Sequence, residues 1–222
     1  QIITTDTFKS SYESLTFEAL NDEKRLNYYL TEILIPEFKK YPESYFENIG
    51  LKQIVLCKNL MIGEQQRAAA PDPFTNTLFL SIENTYEKEY LIHVLHHELH
   101  HITEYVLWQD MYYDWKKWNS KNTKDFAYGT GGQFAYIDEN ENIDWYKINN
   151  PKQGFINYYS TLGPEEDRCE IVALLMTESE RNLLNTFIAK DKNLKRKVNL
   201  TLRTLRKISK GKLKFWKQKL EL

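Results

Sequence analysis

Leu26, Tyr29, Leu30, Ile33 and Leu34 recur at three- and four-residue spacing, which predicts a helix opening near Asn21-Asp22-Glu23. Asn21 or Asp22 can cap its first turn, and the acidic residues suit its positive end. Pro36 is expected to stop or kink it, and a short helix follows from Pro42 to about Gly50. Leu51 to Cys57 and Thr75 to Ile82 read as strands separated by a loop rich in Ala, Pro and Asp. The clearest element is a helix from about Glu87 to Val106, free of Gly and Pro and regularly apolar at Leu91, Ile92, Val94, Leu95, Leu99 and Ile102. The pattern is then lost from about Trp108 to Gly154, a stretch that holds four of the five Trp and the cluster Gly129-Thr130-Gly131-Gly132. It is too long for a simple connection, so it carries function or packs as a lid. The glycine cluster lacks the Lys-Ser/Thr ending of a phosphate loop and is expected to form a turn near a cleft.

A further helix starts at Pro164 and runs to about Thr177. From Arg181 the chain is helical and basic, with Leu194, Val198, Leu202, Leu205 and Ile208 as its apolar stripe and Gly211 as its break. The first twenty residues show no strong pattern, and no repeat or low-complexity linker is visible. These elements predict an α+β fold: one domain over residues 1–222, with helices, a small mixed sheet and the clearest helix in about 1–107, and the insert and a mostly helical part in about 108–222.

A formal net charge of -1 gives no global pull toward nucleic acid, so none is expected as a partner. Aromatics reach 14% and Tyr dominates them, which fits either a surface that meets peptides or sugars or a core rich in amphipathic rings. Between Lys192 and Lys219 lie about a dozen Lys and Arg with almost no acids; a solvated helix face is the expected reading, and a surface for anionic lipid, glycan or nucleic acid the alternative. Cys57 and Cys169 stand far apart, outside any CxxC pair, and are expected as free thiols, with one disulfide between them as the alternative. No apolar run is long enough to span a bilayer. The chain opens Gln1-Ile2-Ile3 without Met, which leaves room for a removed signal or lipid-anchor segment.

All five histidines fall between Leu91 and Ile102: His93, His96, His97, His100 and His101. Within them, His97-Glu98-Leu99-His100-His101 is an HExxH pattern. Residues four apart stack on one helix face, so two imidazoles can share one zinc ion, and a Glu beside that face can take a proton from water at the metal. His93/His97 and His96/His100 have the same spacing, but only His97/His101 has Glu after its first member. His93 continues the same face one turn earlier and could support a ligand from behind or simply pack; for it, as for His96 and His100, a satisfied or solvated side chain is the expected reading. Catalytic zinc needs a third ligand and an open position. Glu166 and Glu170 share one face of the helix that opens at Pro164; one could bind metal while the other orients a ligand imidazole.

Here the chain resembles a known group. His97-Glu98-x-x-His101, Tyr159 seven residues before Glu166 and Glu170 four after it are similar to the gluzincin pattern of the anthrax lethal factor protease domain and the Pro-Pro endopeptidases. Closer still are the zinc-binding metallo-peptidases, many of them bacterial lipoproteins, which read Gly-Phe-Val-Ser-x-Tyr-Ala and then Glu-Asp-Phe-Ala-Glu. Here those segments are Gly154-Phe155-Ile156-Asn157-Tyr158-Tyr159-Ser160 and Glu166-Asp167-Arg168-Cys169-Glu170. The resemblance covers about Leu51 to Met176 and is specific in the two motif blocks. It implies a zincin-like fold, a zinc ion on His97, His101 and Glu166, Glu98 as general base, Tyr159 at the metal or the oxyanion (Tyr158 competes, but the seven-residue spacing favours Tyr159), and Glu170 bonding a ligand His. It also implies a monomeric peptidase outside the cytoplasm, a cell-envelope lipoprotein, with a peptide lying along an edge strand for which Thr77, Leu78, Phe79 and Leu80 are the candidates. Arg168 and Cys169 depart from the pattern, which puts local packing in doubt. The competing readings are a non-catalytic zinc-stabilised binding protein at a cell surface and a zinc hydrolase of a non-peptide amide.

Overall fold

Strand β3 (Gln53–Ile62) takes partners on both edges and organises a mixed six-stranded sheet in this computed structural model, which describes residues 1–83, 85–137 and 142–213. On one side β3 pairs with β1 (Ile2–Ile3, parallel) and then β2 (Leu15–Ala19, antiparallel). On the other it pairs with β4 (Gln65–Gln66, antiparallel) and β6 (Thr77–Ser81, parallel), and β5 (Ala69–Asp72) adds antiparallel to β6. The order β1-β3-β6-β5 leaves β5 at the edge. Alternate residues point to opposite faces. Ile54, Leu56, Leu78 and Leu80 join the helices in the main core, while Val55, Cys57, Leu60 and Phe79 meet Phe8, Tyr12 and Phe17 on the other face. The first twenty residues therefore cover one face of the sheet. They are pinned there by Asp72, whose carboxylate accepts from Ser10 Oγ and from Ser11 N–H and Oγ at 2.7–2.9 Å.

The substrate-strand expectation needs correction. Thr77, Leu78, Phe79 and Leu80 are buried in β6, whose two edges are filled by β3 and β5. The segment read as an Ala-, Pro- and Asp-rich loop forms the edge instead. Ala and Pro have weak strand preference, but Pro is tolerated on an edge because it has no N–H to donate. Ser81 N–H donates to Ala68 C=O at 2.8 Å. In an antiparallel ladder bonded pairs alternate, so Ala70 and Asp72 also turn inward to β6, and Ala69 and Pro71 turn their backbone groups outward.

Helix α1 (Glu23–Tyr29) is capped by Asp22, whose carboxylate accepts from Arg25 N–H at 2.9 Å. It does not stop before Pro36. The helix widens into a π segment, Leu30–Leu34, in which Ile35 N–H reaches back to Leu30 C=O, and then continues as α2 (Ile35–Phe38). The wider turn absorbs the bond that proline cannot make. Helix α3 (Glu43–Ile49) ends at Gly50 in the left-handed region, φ 63°.

Helix α4 (Lys88–Trp108) lays Leu91, Leu95, Leu99 and Ile102 into the main core. Among the described residues, the long stretch after it is irregular apart from α5 (Lys116–Asn119) and a short 3₁₀ turn, Gly132–Tyr136. Helix α6 (Pro164–Met176) packs on α4, and α7 (Arg181–Lys190) and α8 (Lys192–Ile208) close the core from below. Leu194, Val198, Leu202 and Leu205 are buried as predicted. Residues 214–219 of the basic run lie outside the described residues. No helix among the described residues is long and apolar enough to cross a membrane. Cys57 and Cys169 are buried, free thiols.

Candidate metal centre

The HExxH spacing places His97 and His101 one above the other on α4, with ring centroids 4.9 Å apart and Nε2 atoms 3.1 Å apart. Glu166 comes to them from the first turn of α6, where Pro164 opens the helix. Its Oε2 lies 3.0 Å from His97 Nε2 and 3.5 Å from His101 Nε2. The donors thus form a near-equilateral triangle. Tetrahedral zinc with bonds of about 2.0–2.1 Å holds its N and O ligands roughly 3.3 Å apart, so the set fits that ion in spacing and in chemistry. Other His, Glu and Cys combinations could also share a cation here. His97, His101 and Cys169 bring ligand atoms within 4.8 Å of one another, and so do His93, His97 and Glu170. The tighter convergence is at Glu166.

The comparisons agree with this chemistry. A family model described as "Putative zinc-binding metallo-peptidase" matches residues 59–215. The chain belongs to that family. A crystal structure of a putative zinc-binding metallo-peptidase from Bacteroides caccae shares the fold, with a TM-score of 0.52 at 18% identity over 100% of this chain and 88% of that chain. No curated protein matches.

The family's metal-binding character has physical support around the triangle. Glu170, one turn along α6 from Glu166, binds His97 Nδ1 through Oε1 at 2.8 Å, which turns Nε2 of that ring toward His101 and Glu166. Asn157 Nδ2 donates to Glu170 Oε2 at 2.6 Å. Burial opposes charge on Glu166 and Glu170, yet the imidazoles outweigh it and hold both carboxyls well below the usual range. Glu98 is half-buried beside the pair. Its carboxyl is pushed up, by burial first, against the opposing pull of His97 and His101.

A cavity of about 280 Å³ opens over His97 and Glu98. Ala68 and Ala69, at the start of the edge strand, form one wall, and Tyr90, Tyr136, Tyr146 and Tyr159 form much of the rest. Tyr159 turns into the cavity, its ring 5.9 Å from His97 and 5.0 Å from Tyr146, whereas Tyr158 sits against Trp145. The irregular stretch thus supplies cavity walls. Arg67 stacks over the Tyr136 ring at 3.7 Å and ties that wall to the sheet.

The glycine cluster does lie at the cleft. Gly129 and Gly131 N–H groups donate to Thr161 and Leu162 C=O at 3.0 and 2.9 Å, which lays the loop along the approach to α6. Gly132 is buried, and a Cβ there would overlap the Glu166 carboxylate and the Tyr159 hydroxyl, with Glu166 Cδ only 2.7 Å away. Gly132→Ala should therefore weaken zinc binding by on the order of 10-fold by displacing Glu166. Chelator competition measures it, and an unchanged affinity would mean the loop yields without disturbing the carboxylate.

Of the remaining histidines, His96 is satisfied at both nitrogens, whereas the buried Nδ1 of His100 has no hydrogen-bond partner. His96 meets Tyr41 Oη at 2.8 Å and Glu37 at 2.6 Å, and His100 lies 3.5 Å from Glu104. Arg168, unexpected beside a ligand, forms a buried pair with Glu104 and lies 4.9 Å over the Trp108 ring, so an aromatic contact is kept from the other side. Sequence reasoning missed Gly132, Asn157, Tyr146 and Glu180. Only Asn157 and Gly132 sat in motifs already noticed, and their roles depend on contacts between distant segments.

Proposed function

We propose that the chain is a zinc-dependent peptidase with zinc on His97, His101 and Glu166 and with Glu98 as general base. The observation that carries this is the convergence of His97 Nε2, His101 Nε2 and Glu166 Oε2 within 3.0–3.5 Å beside a cavity lined by Glu98. Zinc, when bound, supplies the Lewis acid that makes water acidic and polarises a carbonyl. Glu98 takes the proton of the attacking water and passes it to the leaving nitrogen. Burial that raises its carboxyl suits a group that must both accept and return a proton. Tyr159 donates its hydroxyl proton in a hydrogen bond to the developing oxyanion; burial first, then Glu166, holds that proton on the phenol. The outward N–H and C=O of Ala69 and the C=O of Pro71 offer a peptide a strand to pair with, which lays its carbonyls over the histidines. The resemblance in the motif blocks adds the expectation of a cell-envelope location.

The test is a diverse peptide library incubated with the zinc-loaded chain and read by mass spectrometry, with and without chelator. Chelator-sensitive cleavage supports the reading and shows the preferred sequence. Zinc bound at these residues with no peptide cleaved turns the argument toward a binding role or a non-peptide amide.

A further inference from the structure

A line of buried hydrogen bonds runs from the start of α7 to the histidine pair. Glu180, at the N-cap of α7, places Oε2 2.7 Å from His93 Nδ1. His93 Nε2 lies 3.2 Å from Glu170 Oε1, and the same oxygen lies 2.8 Å from His97 Nδ1. His93 stands one turn before His97 on α4, on the face that meets α6. It holds no place in the hydrolysis proposed above, and each of its nitrogens faces a carboxylate.

We infer that His93, held by Glu180, is a positioning residue for the metal centre: it locks the Glu170 carboxylate against His97 Nδ1, so that His97 Nε2 is aimed at the ion. The inference rests on the zinc reading given above. A ligand imidazole is oriented by whatever its second nitrogen bonds, and that partner must itself be fixed. Asn157 fixes one oxygen of Glu170, and His93 restrains the other. With His93 gone, Oε1 keeps only His97, and the carboxylate can swing about the Asn157 bond. Each nitrogen of His93 must donate for both bonds to form, so the ring is an imidazolium. Burial opposes that charge, but Glu170 and Glu180 outweigh it and push His93 up to about 10. Glu180 lines the cavity and keeps part of its side chain exposed, so the support reaches from the cavity wall to His97.

The experiment measures zinc affinity by chelator competition, and the visible spectrum of the cobalt-substituted chain, for the parent chain and the variants His93→Ala, Glu180→Gln and Tyr28→Phe, each checked for folding by circular dichroism. His93→Ala should weaken zinc by roughly 10–100-fold and shift the cobalt bands as His97 reorients, while Glu180→Gln moves both in the same direction by less. Tyr28→Phe, exposed on α1 and outside both the cavity and the chain of bonds, should leave both unchanged. A loss of packing alone would lower thermal stability without moving the cobalt spectrum. If His93→Ala does not fold, the near-isosteric Glu180→Gln decides the matter. Folded variants that bind zinc within about twofold of the parent, with unshifted bands, overturn the inference. So does a parent that binds two zinc ions where His93→Ala binds one, since His93 would then be a ligand. Zinc binding that responds as expected, in a chain that cleaves no peptide, would sink the peptidase reading alone. A parent that binds no zinc at His97, His101 and Glu166 would sink both.

Discussion

Glu98→Ala should lower kcat for a cleaved peptide by roughly 10²–10⁴-fold, the usual share of a positioned general base. Zinc affinity should stay close to that of the parent. The two halves of this expectation come from different geometry. Glu98 lines the cavity beside His97 and His101, but its carboxylate is not among the three donors that converge at 3.0–3.5 Å. Removing it takes away a proton carrier and leaves the cation's cage. Glu98→Gln should behave alike, because an amide keeps the shape but cannot accept the proton. Initial rates on the best library peptide, paired with metal analysis of the same samples, separate the outcomes. A variant that keeps full kcat would show that water is activated without Glu98. A variant that also loses zinc would move Glu98 from the base to the ligand set.

The parts of this centre that could be read along the chain are those whose geometry is local. Residues four apart on a helix share a face whatever the tertiary fold, so His97, His101, Glu166 and Glu170 could be paired off from spacing alone. What joins the two helices into one site could not be. His93 meets Glu170 and Glu180 across 77 and 87 residues, and no local periodicity encodes that contact. The same limit explains the sheet. β6 is apolar on both faces, and such a run reads as a strand but does not say whether it is central or at an edge. The edge fell to Ala69-Ala70-Pro71-Asp72, which has little strand preference and is held by pairing with β6 and by the serines that bond Asp72. The first twenty residues looked patternless because their aromatic residues are placed by the sheet they cover rather than by their own spacing.

The basic C-terminal helix holds the second large expected effect. From sequence, Lys197 is one of about a dozen cations on a solvated face. In the structure it is fully buried: its Nζ donates to Asp167 Oδ2 at 2.7 Å and to Gly154 C=O at 2.8 Å, and lies 3.6 Å over the Phe155 ring. Asp167 Oδ2 also accepts from Trp118 Nε1 at 2.9 Å and from Tyr128 Oη at 2.7 Å. One carboxylate, next in sequence to Glu166, therefore ties α6, α8 and the irregular stretch together. Burial raises the Asp167 carboxyl and lowers the Lys197 ammonium, so taking both charges out of water costs more than their attraction returns. Removing only the cation is worse, because it strands the anion. Lys197→Met should destabilise the fold by about 3–5 kcal/mol in urea unfolding of the zinc-free chain. Adding Asp167→Asn should recover part of that loss, since the amide carries no charge and can still accept from Trp118. The sign of the pH dependence checks the cause. A carboxyl whose folded pKa is raised binds a proton more tightly when folded, so the loss in Lys197→Met should shrink as pH falls through that raised value. A loss that stays constant with pH, or a double variant no better than the single one, would assign the effect to packing of the lysine stem and leave the charge without a structural role.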